Sequence, residues 1–250
     1  MIQSTQYLVN ELFLLYLSIF LFIGLFLKIP GPGDPPPMSV KIPKMQHINP
    51  QAKPWNEELS ADILLTVVDD EEFLSCYAFL ENISKSCTKQ LGWVYFGEIG
   101  DCREKVKISL VRSFPEVNAL QSFVGTVIDV LKPKAVISVG CCAGFQKANT
   151  NLGDVVISAK LSTTGDKKIV CDEQQSDSRR LGVSTNIRNL IKSAADGWRA
   201  PLCDKEAPNP AVHRDGEILT GVNAEDSPKK CEELLREYPG ALALDLGGQG

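Results

Sequence analysis

A chain of 250 residues, 44% of them hydrophobic and 23% charged, holds enough apolar side chain for one sizeable core. Its net charge of -5 argues against nucleic acid as the main partner, because a phosphate backbone needs a basic footprint. The eight cysteines are irregularly spaced with no Cys-x-x-Cys, and neither histidine has a second ligand at metal spacing. Reduced thiols and no metal or other cofactor are the expectation.

The first element in chain order is Leu12–Leu27, a run without a formal charge, followed by Lys28 and the Pro/Gly-rich stretch Pro30–Pro37. As a helix it would span about 24 Å, slightly short of a hydrocarbon core of roughly 30 Å. Lys28 can snorkel and Tyr7 or Tyr16 can sit near an interface. Residues 1–29 are therefore expected to form a membrane anchor through residues 12–27. Lys28, Lys41 and Lys44 follow the run and Met1–Glu11 has no basic residue, so the main domain is expected to face the cytoplasm. The sequon Asn82-Ile83-Ser84 points the other way. Residues 30–58 carry more than half of the fifteen prolines and read as a linker, leaving 59–250 as the folded domain.

Ala61–Val68 reads as a strand, and Asp69-Asp70 can cap a helix over Glu71–Ile83. Gly92–Phe96 and Lys105–Val111 read as strands. Val117–Leu131 carries apolar residues at 117, 120, 124, 127, 128 and 131, a helical stripe that stops at Lys132-Pro133. The strand Ala135–Val139 begins at once, and its uninterrupted apolar run predicts a central, fully buried position. Val155–Ala159 is a further strand, and Ser162–Gly182 is polar, either an active-site loop or a mobile insertion. Asn186–Ala195 reads as a helix and Glu217–Thr220 as a strand. Ser227-Pro228 opens a helix over Lys229–Glu237, and Ala241–Leu246 is a final strand. Strands alternating with helices predict an α/β fold, three layers α/β/α around one mixed central sheet.

The stretch Ala135–Gly144 reads Ala-Val-Ile-Ser-Val-Gly-Cys-Cys-Ala-Gly, a strand running straight into a turn of small residues. Gly140, Cys142, Ala143 and Gly144 let a ligand approach the backbone at the carboxyl end of a strand, where open α/β sheets place their sites. Asn151-Leu152-Gly153-Asp154 then opens the next apolar run.

This order of strand, Gly-x-Cys-Ala-Gly turn and Leu-Gly-Asp-Val-Val strand resembles the nucleoside phosphorylase and nucleosidase superfamily, from about Ala61 onward. The resemblance implies cleavage of the N-glycosidic bond of purine nucleosides, no cofactor, phosphate as a possible co-substrate, and a possible homo-oligomer. Such cleavage passes through a cationic ribose, which needs a carboxylate near the sugar, an acid for the leaving base, and water or phosphate as nucleophile. Glu72, in Val-Val-Asp-Asp-Glu-Glu-Phe, resembles the acidic segment that positions the attacking water in nucleosidases; acids at a helix N-terminus also favour its macrodipole. Arg112 precedes a turn in which Val117-Asn118-Ala119 matches the family, while Phe114-Pro115-Glu116 replaces its glycines. It is a candidate phosphate contact or an ordinary surface arginine.

In Leu244-Asp245-Leu246-Gly247, Asp245 matches the family's first acid, and Gly247 stands where the resemblance implies a ribose-binding glutamate. The sequence stops at Gly250, before the strand that would carry the base-protonating aspartate. A C-terminal truncation is therefore expected, by way of a fragment, a shortened isoform or a diverged relative. Two readings follow: an enzyme of nucleoside metabolism, or a catalytically impaired nucleoside-binding or interaction module.

Overall fold

The computed structural model describes residues 37–55, 60–100, 105–112, 125–145, 150–163, 180–220 and 228–245. The elements in chain order are β1 (Gln51–Ala52), β2 (Ile63–Val67), α1 (Asp70–Ala78), β3 (Glu81–Thr88), β4 (Gly92–Gly100) and β5 (Lys105–Arg112). Helix α2 is seen at residues 125–131, followed by β6 (Ala135–Ser138), β7 (Cys142–Gly144), β8 (Val155–Thr163) and β9 (Arg180–Gly182). Last come α3 (Thr185–Ser193), β10 (Val212–Thr220), α4 (Pro228–Glu237) and β11 (Ala241–Asp245).

Helix ends follow from local chemistry. Asp69 caps α1, with Glu72 reaching back to the cap backbone in a capping box. The Ser184 hydroxyl accepts from the Ile187 amide at the start of α3. Helix α2 stops where Lys132 takes a left-handed φ of 47° and its amide donates to the Ile128 carbonyl. Helix α1 ends at Ala78, so the segment that reads as a helix to Ile83 turns instead into β3, whose residues pair antiparallel with β4.

The α/β character stands, but the strands divide between two mixed sheets rather than one. The first has the order β1-β3-β4-β5-β2-β6 and the second β7-β11-β10-β8-β9. The fully buried strand of the first sheet is β2, every residue of which is covered, flanked by β5 and β6 in parallel. Strand β6 is an edge among the described residues, with Val136 43% exposed and Ile137 half-buried. The expectation of a central Ala135–Val139 strand is thus corrected. An apolar run reports that a strand touches a core, but not whether a further strand pairs beyond it.

Ile63, Leu65 and Val67 of β2 share a core cluster with Val155 and Ile157 of β8, Phe73 of α1 and Ile191 of α3. The two sheets are therefore packed over one apolar layer. Leu64 faces the other way, against Val127 and Leu131 of α2. Leu219 and Leu244 of the second sheet likewise pack on Leu234 and Leu235 of α4. Period-two alternation sends neighbouring side chains of each strand to opposite clusters.

The described part of the proline-rich stretch lies on this body. Met38 bridges Leu202, the Ser39 amide donates to Pro201 O at 2.8 Å, and β1 pairs in parallel with β3. No helix among the described residues is long and apolar enough to cross a membrane. The expected anchor, Leu12–Leu27, lies outside the described residues, as does Gly247.

Candidate functional site

Strands β5, β2 and β6 run parallel, which brings Arg112, Val67 and Ser138 to one end of the first sheet. Strands β8, β10 and β11 are parallel in the second sheet and end at Thr163, Thr220 and Asp245. The chain crosses from one sheet to the other at Gly140-Cys141. The Val139 amide still donates to Thr66 O of β2, and Phe145 already donates to Leu242 O beside β11.

Glu72 stands at this crossing, 1% exposed. Its Oε2 accepts from the amides of Val68 at 2.9 Å and Asp69 at 3.1 Å, and its Oε1 accepts from the Cys141 amide at 3.0 Å. One carboxylate thus closes the cap of α1 and fastens the small-residue turn to the end of β2. Burial raises its pKa above the ordinary carboxylate value, opposed by the three amides and helped by the charge of Asp69. Of the two readings of Glu72, the structure shows the helix-terminal one, as part of the capping box of α1.

Asp245 enters from the second sheet. A Cβ built on Gly140 would lie 3.4 Å from Glu72 Oε1 and 3.9 Å from Asp245 Oδ1, so a carboxylate from α1 and one from β11 converge on that glycine. The Thr220 hydroxyl donates to Asp245 Oδ2 at 3.3 Å, and Cys142 is the cross-strand partner of Asp245. Burial, with the neighbouring Asp245 charge, pushes the Cys142 thiol up to about 12; burial and Glu72 push Cys141 up to about 12 as well. Neither thiol is a nucleophile near neutrality. Among the described residues no three metal-ligating side chains gather as a metal site requires.

The geometry at Gly140 gives a test. Gly140 has no left-handed φ, and a methyl there meets the two carboxylates at ordinary contact distance. Gly140→Ala should change unfolding stability by no more than about 1 kcal/mol. By covering the point where the acids converge, it should weaken the binding of any ligand seated there at least about tenfold, equivalent to about 1.4 kcal/mol. Calorimetric titration beside a denaturant melt checks both; unchanged affinity would move the ligand elsewhere.

The remaining residues expected at the site separate. Ala143 is the cross-strand partner of Leu244 and its side chain packs into the cluster of Phe145, Leu219 and Tyr238. Its small size is set by that cluster. A Cβ on Gly144 would collide with the Thr150 side chain, whose hydroxyl donates to Phe145 O at 3.1 Å, so this glycine makes room for Thr150. Arg112 lies at the correct strand end, but its guanidinium is paired with Asp70 and sits 5.9 Å from the centre of the Phe73 ring. Thr220 and the Cys141 amide join the site without a sequence motif. The one signal for Thr220 is its place at the carboxyl end of an apolar strand.

No known family profile matches the chain. It is 28% identical over 138 residues to the death domain-containing ATP nucleosidase of Amphimedon queenslandica, a match that takes in 50% of this chain and only 26% of that protein. In fold it is similar to the S-adenosylhomocysteine nucleosidase of Streptococcus pyogenes, solved with 5-methylthiotubericidin. That likeness has a TM-score of 0.56 at 19% identity and covers 74% of this chain and 73% of the other. It is also similar to the 5'-methylthioadenosine/S-adenosylhomocysteine nucleosidase of Neisseria meningitidis in complex with methylthio-immucillin-A, with a TM-score of 0.52 at 16% identity, over 73% and 74% of the two chains. The chain is thus similar to a nucleosidase in sequence over half of its length, and over about three quarters of its length it has the fold of the solved nucleosidases.

Proposed function

We propose that this chain binds a purine nucleoside or nucleotide across Gly140 and cleaves its N-glycosidic bond by hydrolysis. The observation that carries this reading is the convergence of buried Glu72 and half-buried Asp245 on one glycine at the carboxyl ends of both parallel strand sets. Cleavage places positive charge on the ribose, which two carboxylates in a water-poor site stabilise. Water adds to the anomeric carbon as the carbon–nitrogen bond breaks. Glu72 takes one proton from that water and the departing purine takes one up from solvent. Glu72 then returns its proton to solvent, so that nucleoside and water become the free sugar hydroxyl and the free base. Because Glu72 Oε1 is held by a single amide, its second lone pair can accept from the water.

Asp245 faces the ribose in this reading. The S-adenosylhomocysteine and methylthioadenosine in the names of the structural neighbours and the ATP named for the sequence relative make adenosine, methylthioadenosine and ATP the first compounds to try. A second reading, binding without cleavage, is favoured by Gly247, since glycine offers no carboxylate to the ribose hydroxyls.

The experiment is chromatographic detection of free base from adenosine, methylthioadenosine, inosine and ATP, with and without phosphate, beside equilibrium binding of the same compounds. Base released without phosphate supports hydrolysis. Binding without release supports the second reading, and an absence of binding overturns both.

A further inference from the structure

The choice between water and phosphate turns on groups beside Glu72 that the cleavage step does not use. Arg112 ends β5 in register with Val67 of β2, one strand from the loop whose Val68 and Asp69 amides hold Glu72. A guanidinium at that point would ordinarily recruit a phosphate dianion. Here its Nη1 donates to Oδ1 of Asp70, the first residue of α1.

The N-terminus of α1 is also closed to anions. Its amides would ordinarily hold a phosphate, but the capping box takes two of them internally: Asp69 accepts from the third helical amide, and Glu72 accepts from the Asp69 amide. Asp69, Asp70, Glu71 and Glu72 place four carboxylates in a row at this end of the helix. Their field repels a dianion and leaves neutral water unaffected.

We infer that Asp70 is a specificity-determining residue, which selects water over phosphate as nucleophile by holding the Arg112 guanidinium. The inference rests on the nucleoside reading of the site. Asp70 is more than half exposed and takes no part in the capping box, so Asp70→Asn leaves the helix cap in place. That substitution removes one negative charge and releases Arg112 toward the space in front of the Val67–Asp69 segment.

The test is calorimetric titration of inorganic phosphate into the full chain as wild type, Asp70→Asn, Arg112→Ala, and the double variant. Asp70→Asn should bind phosphate at least about tenfold more tightly than wild type. The double variant should lose that gain, and Arg112→Ala should match wild type. Equal phosphate affinity in wild type and Asp70→Asn overturns the inference, as does a gain that survives in the double variant. Adenosine titrated separately into wild type isolates the underlying reading: a chain that takes phosphate as expected but no nucleoside overturns the site assignment instead. A thermal melt of each variant verifies that the fold is retained.

Discussion

Glu72→Gln should lower the rate of base release by about 10²–10⁴-fold, the range over which a positioned acid or base contributes, while nucleoside binding persists. Both Glu72 oxygens accept backbone amides, so the amide edge of glutamine must point a donor at a donor. This should cost about 1–3 kcal/mol of stability, and the melt is measured beside the rate. The pH profile supplies an independent check. A base acts when ionised, and burial raises the pKa of Glu72, so activity should fall on acidification from a higher pH than an ordinary carboxylate would give. The stability linkage has the matching sign. The folded chain holds this proton more tightly than the unfolded chain does, so the contribution of Glu72 to stability declines as pH rises from the ordinary carboxylate value through the raised one. A Glu72→Gln enzyme that releases base at the wild-type rate would remove Glu72 from the chemistry and leave it as a helix cap.

Ile108→Ala should destabilise the fold by about 2–5 kcal/mol, the cost of a large-to-small change with its cavity. Ile108 is fully buried on β5, opposite Ile63 of β2 and Gly97 of β4, in the cluster that also takes Val155, Ile157 and Trp198 from the other half of the domain. Because this apolar layer lies between the sheets, both should be lost together. At about 2–4 °C per kcal/mol for a domain of this size, the melting temperature should drop substantially. Far-UV and tryptophan signals should follow one coincident transition. Two resolved transitions, with only the first sheet shifted, would show that the sheets do not unfold as a unit.

The sequence by itself determined the local grammar. Asp69 with Glu72, Lys132-Pro133 and Pro228 set helix ends through side-chain capping, a left-handed residue and a missing amide, all interactions within a few residues. The alternation of apolar runs made the domain α/β, and the small-residue turn after Ser138 marked the site, since period and steric bulk are properties of the chain itself.

Other features were decided only by the tertiary structure. Ile63–Val67 and Ala135–Val139 are equivalent as apolar runs, yet one is buried on both faces and the other is an edge among the described residues, because strand order depends on pairings between residues distant in sequence. Gly140, Ala143 and Gly144 read as one ligand turn. They separate into a point facing two carboxylates, a core contact and a contact with Thr150; within β7, Ala143 and Gly144 part because successive residues of a strand face opposite ways. The convergence of Glu72 and Asp245 on Gly140 arises from two sheets packed over a common apolar layer, and the pairing of Arg112 with Asp70 from β5 lying parallel beside β2; no spacing along the chain encodes either.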